Sequence, residues 1–472
     1  MRIAPQPVKE NRRHAADAFG VLLVTALAAY LRFAGLGKAS LWMDEGASAA
    51  MARATRTDFI FLLLSREMNM APYYLLLRLV PPLAHSEFAL RLVPALFGIL
   101  LVPLMWIVAR RVLPAHHSRG ASFLVIAAIT LNGFLLTYSQ EARAYSIALF
   151  FSTAALYFCV RAVQEGEGAV AWSICALLAF YDHFFTCLWL IPQLIFLLRI
   201  YRRRQTSIRT MIAVLVVGML PILMFFAHTR GGQLDWVPHL SFTVLSEIAR
   251  QIGGYSIVST GILFVAAAMG AVLFFRDGTA TARAILTQAV VPPLILLVAS
   301  VAHPVFVPRF LLFWVPTLFL CAARAAQEVS PVLAVAAAAP FFAAMVSAKW
   351  HRPPQADWRS ATTYLCSSDN RADAVFFSPA MAKFPFEYYL QQHAGCAPAV
   401  LPGSLELTER DFLYGKRDLA KQACSSAAQH PLLVLDSVSG TSPEELTGNC
   451  YRETSRAERN RLVFVEMERT GR

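Results

Sequence analysis

Charge is scarce in this chain. Asp, Glu, Lys and Arg fill only 15% of its 472 positions, where soluble domains carry about 25%. Hydrophobic residues make up 57%, and the mean hydropathy is +0.51. A soluble fold of this size could not cover so much apolar surface, which leaves lipid as the solvent for much of the chain. A separate basic domain is also missing. The net charge of +12 comes from arginines placed between apolar runs, which argues against nucleic acid as a partner and for a charge set by membrane topology. No small-residue cleavage site cleanly follows the first apolar stretch, Ala18 to Ala34. The cluster Arg2, Lys9, Arg12 and Arg13 therefore precedes an uncleaved first helix with a cytoplasmic N-terminus. Internal repeats and low-complexity tracts are absent as well.

What is present is a series of apolar runs long enough to cross a bilayer. They lie near residues 17–35, 87–109, 120–138, 145–163, 169–182, 183–200, 210–228, 255–275, 284–302, 310–327 and 331–347. The fold class expected is a polytopic α-helical membrane protein of about eleven transmembrane helices. With the N-terminus inside, the cytoplasmic loops hold Arg110, Arg111 and Arg119; Arg161; Arg202, Arg203, Arg204 and Arg209; Arg276 and Arg283; and Arg324. Each carries arginine, as the positive-inside rule asks, and an odd number of spans puts the C-terminus outside. The expected place is a cytoplasmic membrane, with residues 1–347 as the transmembrane domain.

Two external segments are too apolar to be free loops. Residues 36–86 mix Met51, Phe59, Leu62 and Leu63 with Arg53, Arg56, Asp58 and Arg66, the texture of helices lying in the interface. Residues 229–254 carry Trp236, then Val244, Leu245, Ile248 and Ile252 at helical spacing. From about Trp350 the chain reads as a soluble domain, residues 348–472. Strands are expected at Ala374 to Phe377, Leu432 to Leu435 and Leu462 to Glu466, and helices at Trp358 to Cys366, Ala380 to Gln392 and Glu406 to Gln422. Together these make a small α/β layer. Cys366, Cys396, Cys424 and Cys450 all fall there. Without CxxC-like spacing a zinc site is the weaker reading, and four cysteines outside the cytoplasm point to two disulfides with three possible pairings.

Chemistry is expected where charge meets the outer membrane boundary, because acids and bases there are costly unless partnered or functional. Asp44 and Glu45, in Ser40-Leu-Trp-Met-Asp-Glu-Gly-Ala, follow the first span. A carboxylate at that depth can accept a proton from an acceptor hydroxyl while its neighbour helps hold a divalent cation such as magnesium or manganese; the plainer alternative is a solvated loop start. Glu141 and Arg143, in Tyr138-Ser-Gln-Glu-Ala-Arg-Ala-Tyr, sit in a short external turn. They form either an ion pair that ties the turn down or a pair in which Arg143 grips a phosphate and Glu141 assists a metal or an acceptor. Arg91, Asp182, His183, His303 and Arg309 are further boundary candidates for binding substrate. A lone histidine at a helix end is more often a structural hydrogen-bonding residue, and Arg309 serves equally well as a snorkelling interfacial anchor.

These segments resemble a family. Ser40-Leu-Trp-Met-Asp-Glu, Met70-Ala-Pro-Tyr-Tyr-Leu-Leu-Leu, Phe88-Ala-Leu-Arg-Leu-Val-Pro-Ala-Leu-Phe-Gly, Tyr138-Ser-Gln-Glu-Ala-Arg-Ala-Tyr-Ser and Val307-Pro-Arg-Phe-Leu-Leu-Phe-Trp-Val-Pro look like the polyprenyl-phosphate-sugar-dependent glycosyltransferases of the GT-C fold. Protein O-mannosyltransferases and lipid A aminoarabinose transferases belong to that group. The resemblance covers about the first 320 residues. It implies transfer of a sugar from a polyprenyl-phosphate donor to an envelope acceptor, with inversion at the anomeric carbon. Asp44 would then act as base with Glu45 as its partner, and Arg143 or Arg309 would stabilise the leaving phosphate. One departure is Asn69-Met-Ala-Pro, where many relatives have His-Pro-Pro-Leu, so that histidine's role is absent or supplied elsewhere. A lipid-linked sugar transporter or a non-catalytic envelope scaffold are the competing readings. The clean centres of the spans speak against the first, because transporters place polar groups near the midplane.

Overall fold

The computed structural model describes residues 7–201, 205–228, 237–348, 356–366, 372–392, 416–436, 442–459 and 461–470. Arg202 to Arg204, Trp236, Trp350 and Cys396 lie outside the described residues, as does the start of the helix expected at Glu406 to Gln422. In chain order the helices are α1 (Pro7–Phe33), α2 (Met43–Arg53), α3 (Arg56–Ser65), α4 (Ala71–Leu79), α5 (Glu87–Val112), α6 (Ser118–Leu131), α7 (Gly133–Ser139), α8 (Tyr145–Glu165), α9 (Ala169–Asp182) and α10 (Cys187–Ile200). They continue as α11 (Gln205–His228), α12 (Phe242–Gly253), α13 (Ile257–Asp277), α14 (Ala280–Ala302), α15 (Val315–Ala326), α16 (Pro331–Ala348), α17 (Trp358–Leu365), α18 (Lys383–Leu390), α19 (Lys416–Ser425) and α20 (Pro443–Leu446). The strands are β1 (Val375–Ser378), β2 (Leu432–Asp436), β3 (Tyr451–Arg459) and β4 (Leu462–Arg469).

The chain divides into two compact units. One holds Met1–Ala34 and Val93–Arg352, the other Gly35–Leu92 and Pro353–Arg472. The first is helical and apolar. Among the described residues seven helices are long and apolar enough to cross a membrane, or eight if the bent pair α6–α7 is one span. Shorter apolar helices at Ala169–Asp182, Phe184–Ile200 and Val332–Ser347 fall on the remaining expected runs. Outward-facing Val217, Phe226, Phe275 and Val298 are all more than half exposed, as lipid-facing side chains are. α12 folds at the predicted amphipathic stretch. Ser241 caps it by accepting from the Val244 amide, Gly254 ends it in the left-handed region (φ 84°), and Ile248 and Ile252 are buried. Asn132 explains the bend between α6 and α7, which meet at 54°. Its side-chain carbonyl caps α7 through the Leu135 amide at 2.9 Å, and its amide donates to the Ile252 carbonyl at 2.9 Å.

The second unit gathers α2–α4 and the start of α5 with the C-terminal elements. The boundary expected from composition, at residue 347, separates these stretches. The contacts join them because α18 packs along α2 and Arg359 pairs with Glu87, long-range pairings that no local composition carries. Its sheet has the order β1-β2-β4-β3, with β1 and β2 parallel and the other pairs antiparallel. Phe376, Leu433, Val465 and Tyr451 lie in its core. The strands expected at Ala374, Leu432 and Leu462 are β1, β2 and β4. β3 escaped because it is an edge strand whose outward positions are Arg452, Thr454, Ser455, Arg456, Glu458 and Arg459; charge on an edge blocks unwanted pairing and reads locally as loop. Cys424 and Cys450 form a disulfide, and Cys366 is disulfide-bonded too. Cys159, Cys175, Cys187 and Cys321 are free and lie in apolar helices.

Candidate functional site

Each unit carries one part of the predicted chemistry. In the second unit, Trp42 is the N-cap residue of α2, so Asp44 and Glu45 occupy its first turn, where the helix dipole favours negative charge. The two carboxylates are treated differently. Glu45 is 1% exposed, and its Oε2 accepts from the Trp42 amide at 3.4 Å, so the N3 side chain reaches back to the N-cap amide. Arg91 grips the same carboxylate in a fork, Nε to Oε1 at 2.7 Å and a terminal nitrogen to Oε2 at 2.6 Å. The remaining Arg91 donors go to the carbonyls of Leu36 at 2.9 Å, Ala39 at 2.8 Å and Ser40 at 3.1 Å. A guanidinium has five N–H donors, so Arg91 spends them on its own protein. Expected to meet substrate, it instead fastens the loop after the first span. Asp44 is partly exposed.

In the first unit, the bend at Asn132 aims α7 into the Gln140-Glu-Ala-Arg turn. Tyr138 packs edge-on against Tyr145, with ring centroids 5.2 Å apart, and Arg309 donates to the Tyr145 hydroxyl at 3.1 Å. His183, 2% exposed, closes the α9 end of this cluster among the rings of Tyr145, Phe185, Phe310 and Phe313, at 5.3 to 6.0 Å. Its Nδ1 finds no hydrogen-bond partner among the described residues. Arg309 and Arg143 both act electrostatically on His183, and Glu141 and Arg309 on Tyr138. The structure therefore brings Glu141, Arg143, His183 and Arg309 into one neighbourhood, with Asp182 fully buried beside His183. His303 is exposed and makes no side-chain hydrogen bond, ion pair or ring contact with the described residues. Cations in a wall of aromatic rings suit a phosphate attached to an apolar or sugar-bearing group.

Two residues that sequence reasoning passed over hold this neighbourhood in place. Gln140 donates its amide to the carbonyls of Leu31 at 3.2 Å, Arg32 at 2.9 Å and Ala34 at 3.4 Å, satisfying the open end of α1 from outside. Tyr145 is the Arg309 acceptor. Gln140 was visible as the one amide in a boundary turn, where an unpaired polar group would be expensive. Replacing it with alanine should lower stability by about 1–3 kcal/mol, since several carbonyls lose their donor. Thermal melting of the detergent-solubilised variant checks this, and an unchanged melting temperature would refute the capping role.

A divalent cation requires ligands close together. Among the described residues no group of three or more His, Cys, Asp or Glu is arranged to hold one, and Glu45 already gives both oxygens to Arg91. These donors do not fit a cation held by Asp44, Glu45 and Glu141.

Residues 58–183 match the family model of dolichyl-phosphate-mannose-protein mannosyltransferase, a stretch that contains Glu141, Arg143, Asp182 and His183 and begins after Asp44. No curated protein matches the chain in sequence. Among solved structures, it is similar to ArnT from Cupriavidus metallidurans in the apo state, at 14% identity and a TM-score of 0.59 over 96% of this chain and 98% of that one. The chain has the GT-C glycosyltransferase fold. The same ArnT bound to undecaprenyl phosphate aligns at 14% identity and a TM-score of 0.56, covering 94% of this chain and 97% of that one. The oligosaccharyltransferase AglB from Archaeoglobus fulgidus, in complex with an inhibitory peptide and a dolichol-phosphate, aligns at 12% identity and 0.56 over 90% of this chain and 70% of that one. At these identities the likeness is one of GT-C architecture: a helical membrane bundle with a small C-terminal sheet domain.

Proposed function

We propose that this protein is an inverting glycosyltransferase that moves a sugar from a polyprenyl-phosphate donor to an envelope acceptor at the outer face of a bacterial cytoplasmic membrane. The observation that carries the reading is the cluster of Arg143, Arg309, Tyr145 and His183 in a GT-C frame. It offers guanidinium donors for phosphate within an aromatic wall. Solved proteins of this fold bind undecaprenyl phosphate and dolichol-phosphate, which supports the donor class. The Cys424–Cys450 disulfide supports an oxidising compartment for the C-terminal domain.

In the proposed step Asp44 takes the proton of an acceptor hydroxyl, whose oxygen attacks the anomeric carbon from the face opposite the phosphate. The bond from that carbon to the phosphate oxygen breaks, and polyprenyl phosphate leaves with the bonding pair. Arg143 and Arg309 stabilise the charge growing on the departing oxygens, an effect stronger in a water-poor site. One displacement at one carbon inverts it. Glu45 and Arg91 contribute by fixing the turn that carries Asp44.

The test is transfer of sugar from a polyprenyl-phosphate donor by the purified, detergent-solubilised protein, with binding of undecaprenyl phosphate followed by native mass spectrometry. Arg309→Ala and Arg143→Ala should each weaken undecaprenyl phosphate binding by roughly 10- to 100-fold, the loss of one charge-assisted contact of about 1.5–3 kcal/mol. Parent-like affinity in both variants would remove the phosphate assignment, and a parent without transfer activity would remove the function.

A further inference from the structure

We infer that the C-terminal domain works in the transfer itself, with Tyr389 as the positioning residue that sets the Asp44 turn. The inference rests on the reading of Asp44 as the base. It stands on hydrogen bonds within the second unit, which joins residues 35–92 to residues 353–472.

The segment entering α2 is held from the C-terminal domain at consecutive residues. The Leu41 amide donates to the Tyr389 hydroxyl at 2.8 Å, and the Tyr389 hydroxyl donates to Glu87 Oε1 at 3.0 Å. Arg359 completes the relay by pairing with the same Glu87 oxygen at 2.6 Å, while its backbone amide donates to the Ser40 hydroxyl at 3.3 Å. The Arg359 guanidinium also lies over the Tyr389 ring, 5.6 Å from its centroid. Tyr389 is 1% exposed, and burial pushes its hydroxyl well above the ordinary value, so the proton shared with Glu87 stays in place at any working pH. Three residues after Leu41 comes Asp44.

Beyond Asp44 the same helix of the domain keeps contact. Gly46 lies so close to α18 that an added Cβ would sit 2.5 Å from the Pro385 nitrogen and 2.6 Å from its Cδ, so only glycine allows this approach. At the far end of α2, Arg53 stacks over the Tyr388 ring at 4.5 Å and donates to the Gln391 side chain at 2.5 Å. Asp44 thus lies between two points fixed by α18, Leu41 before it and Gly46 after it. A general base must come within about 2.6–3.2 Å of the proton it removes, and a displacement of about 1 Å can cost on the order of 10²-fold in rate. Tyr389 touches no reacting atom; it acts through the backbone that carries Asp44.

The experiment uses the full-length protein in detergent and reads kcat, donor KM and melting temperature. Tyr389→Phe keeps the ring and its packing and removes both hydroxyl bonds. It should lower kcat roughly 10- to 100-fold with donor KM unchanged. Gly46→Ala, which forces α2 and α18 apart, is the second variant and should show the same split. The decisive arm places Tyr389→Phe in an Asp44→Asn background: a residue that acts only through Asp44 adds no further loss there. An equal fold-loss in both backgrounds, or a parent-like kcat for both Tyr389→Phe and Gly46→Ala, overturns the inference while leaving the proposed function standing. A parent protein that transfers no sugar removes the proposed function and this inference together.

Discussion

Asp44→Asn is expected to slow sugar transfer by about 10²- to 10⁴-fold, the usual worth of a positioned general base, while the protein folds and binds undecaprenyl phosphate as the parent does. Asparagine keeps the shape of the side chain and removes its basicity. What stability it loses is bounded by the position. In the first turn of α2 a carboxylate gains about 0.3–1 kcal/mol from the helix dipole, and Asp44 is only partly buried. The neighbouring carboxylate is the control. Glu45 is buried and capped, with both oxygens in the Arg91 fork, so Glu45→Gln should act first on folding. The measurement is turnover of a polyprenyl-phosphate donor by variants with matched melting temperatures. Parent-like turnover by Asp44→Asn would end the assignment of the base and revive the transporter and scaffold readings.

Features governed by local periodicity were legible in the sequence. Apolar runs of about twenty residues located the spans because hydrocarbon thickness sets their length, and the 3.6-residue spacing of Val244, Ile248 and Ile252 located α12. β1, β2 and β4 were legible as short buried runs, and the cysteines of the last quarter as a disulfide set, of which Cys424–Cys450 is now a defined pair. What depended on distant partners was not legible. Arg91 was singled out for its boundary position, but nothing near it in sequence announces Glu45, forty-six residues earlier. The rule that an arginine entering a membrane span needs an acid partner would have offered the pairing as an alternative to phosphate binding. Tyr389 carried no signal at all, because an aromatic in a soluble helix reads as core. The division of labour between Asp44 and Glu45 was equally hidden: adjacent carboxylates look alike until the helix start at Trp42 turns one into a cap and leaves the other at the surface.

The largest expected loss of stability belongs to Arg91. Arg91 is 3% exposed and its guanidinium serves Glu45 and three backbone carbonyls at once, so Arg91→Ala strands a buried carboxylate and leaves those carbonyls without donors. Removing one partner of a buried ion pair typically costs about 3–5 kcal/mol, which for a unit of this size is a melting-temperature drop of roughly 6 to 20 °C. Lysine should not rescue it: its ammonium presents three donors from one point and cannot span a carboxylate fork together with carbonyls on the other side. A double replacement, Arg91→Met with Glu45→Leu, separates the two contributions. If the ion pair were the whole of the interaction, an apolar pair of similar volume would restore most of the stability, as it does at other buried pairs. Here the carbonyls of Leu36, Ala39 and Ser40 stay unsatisfied in both the single and the double variant, so recovery should be partial. Full recovery would mean that Arg91 holds Glu45 alone, and an Arg91→Ala protein melting within 2 °C or so of the parent would mean that the loop carrying Asp44 is fixed by something else.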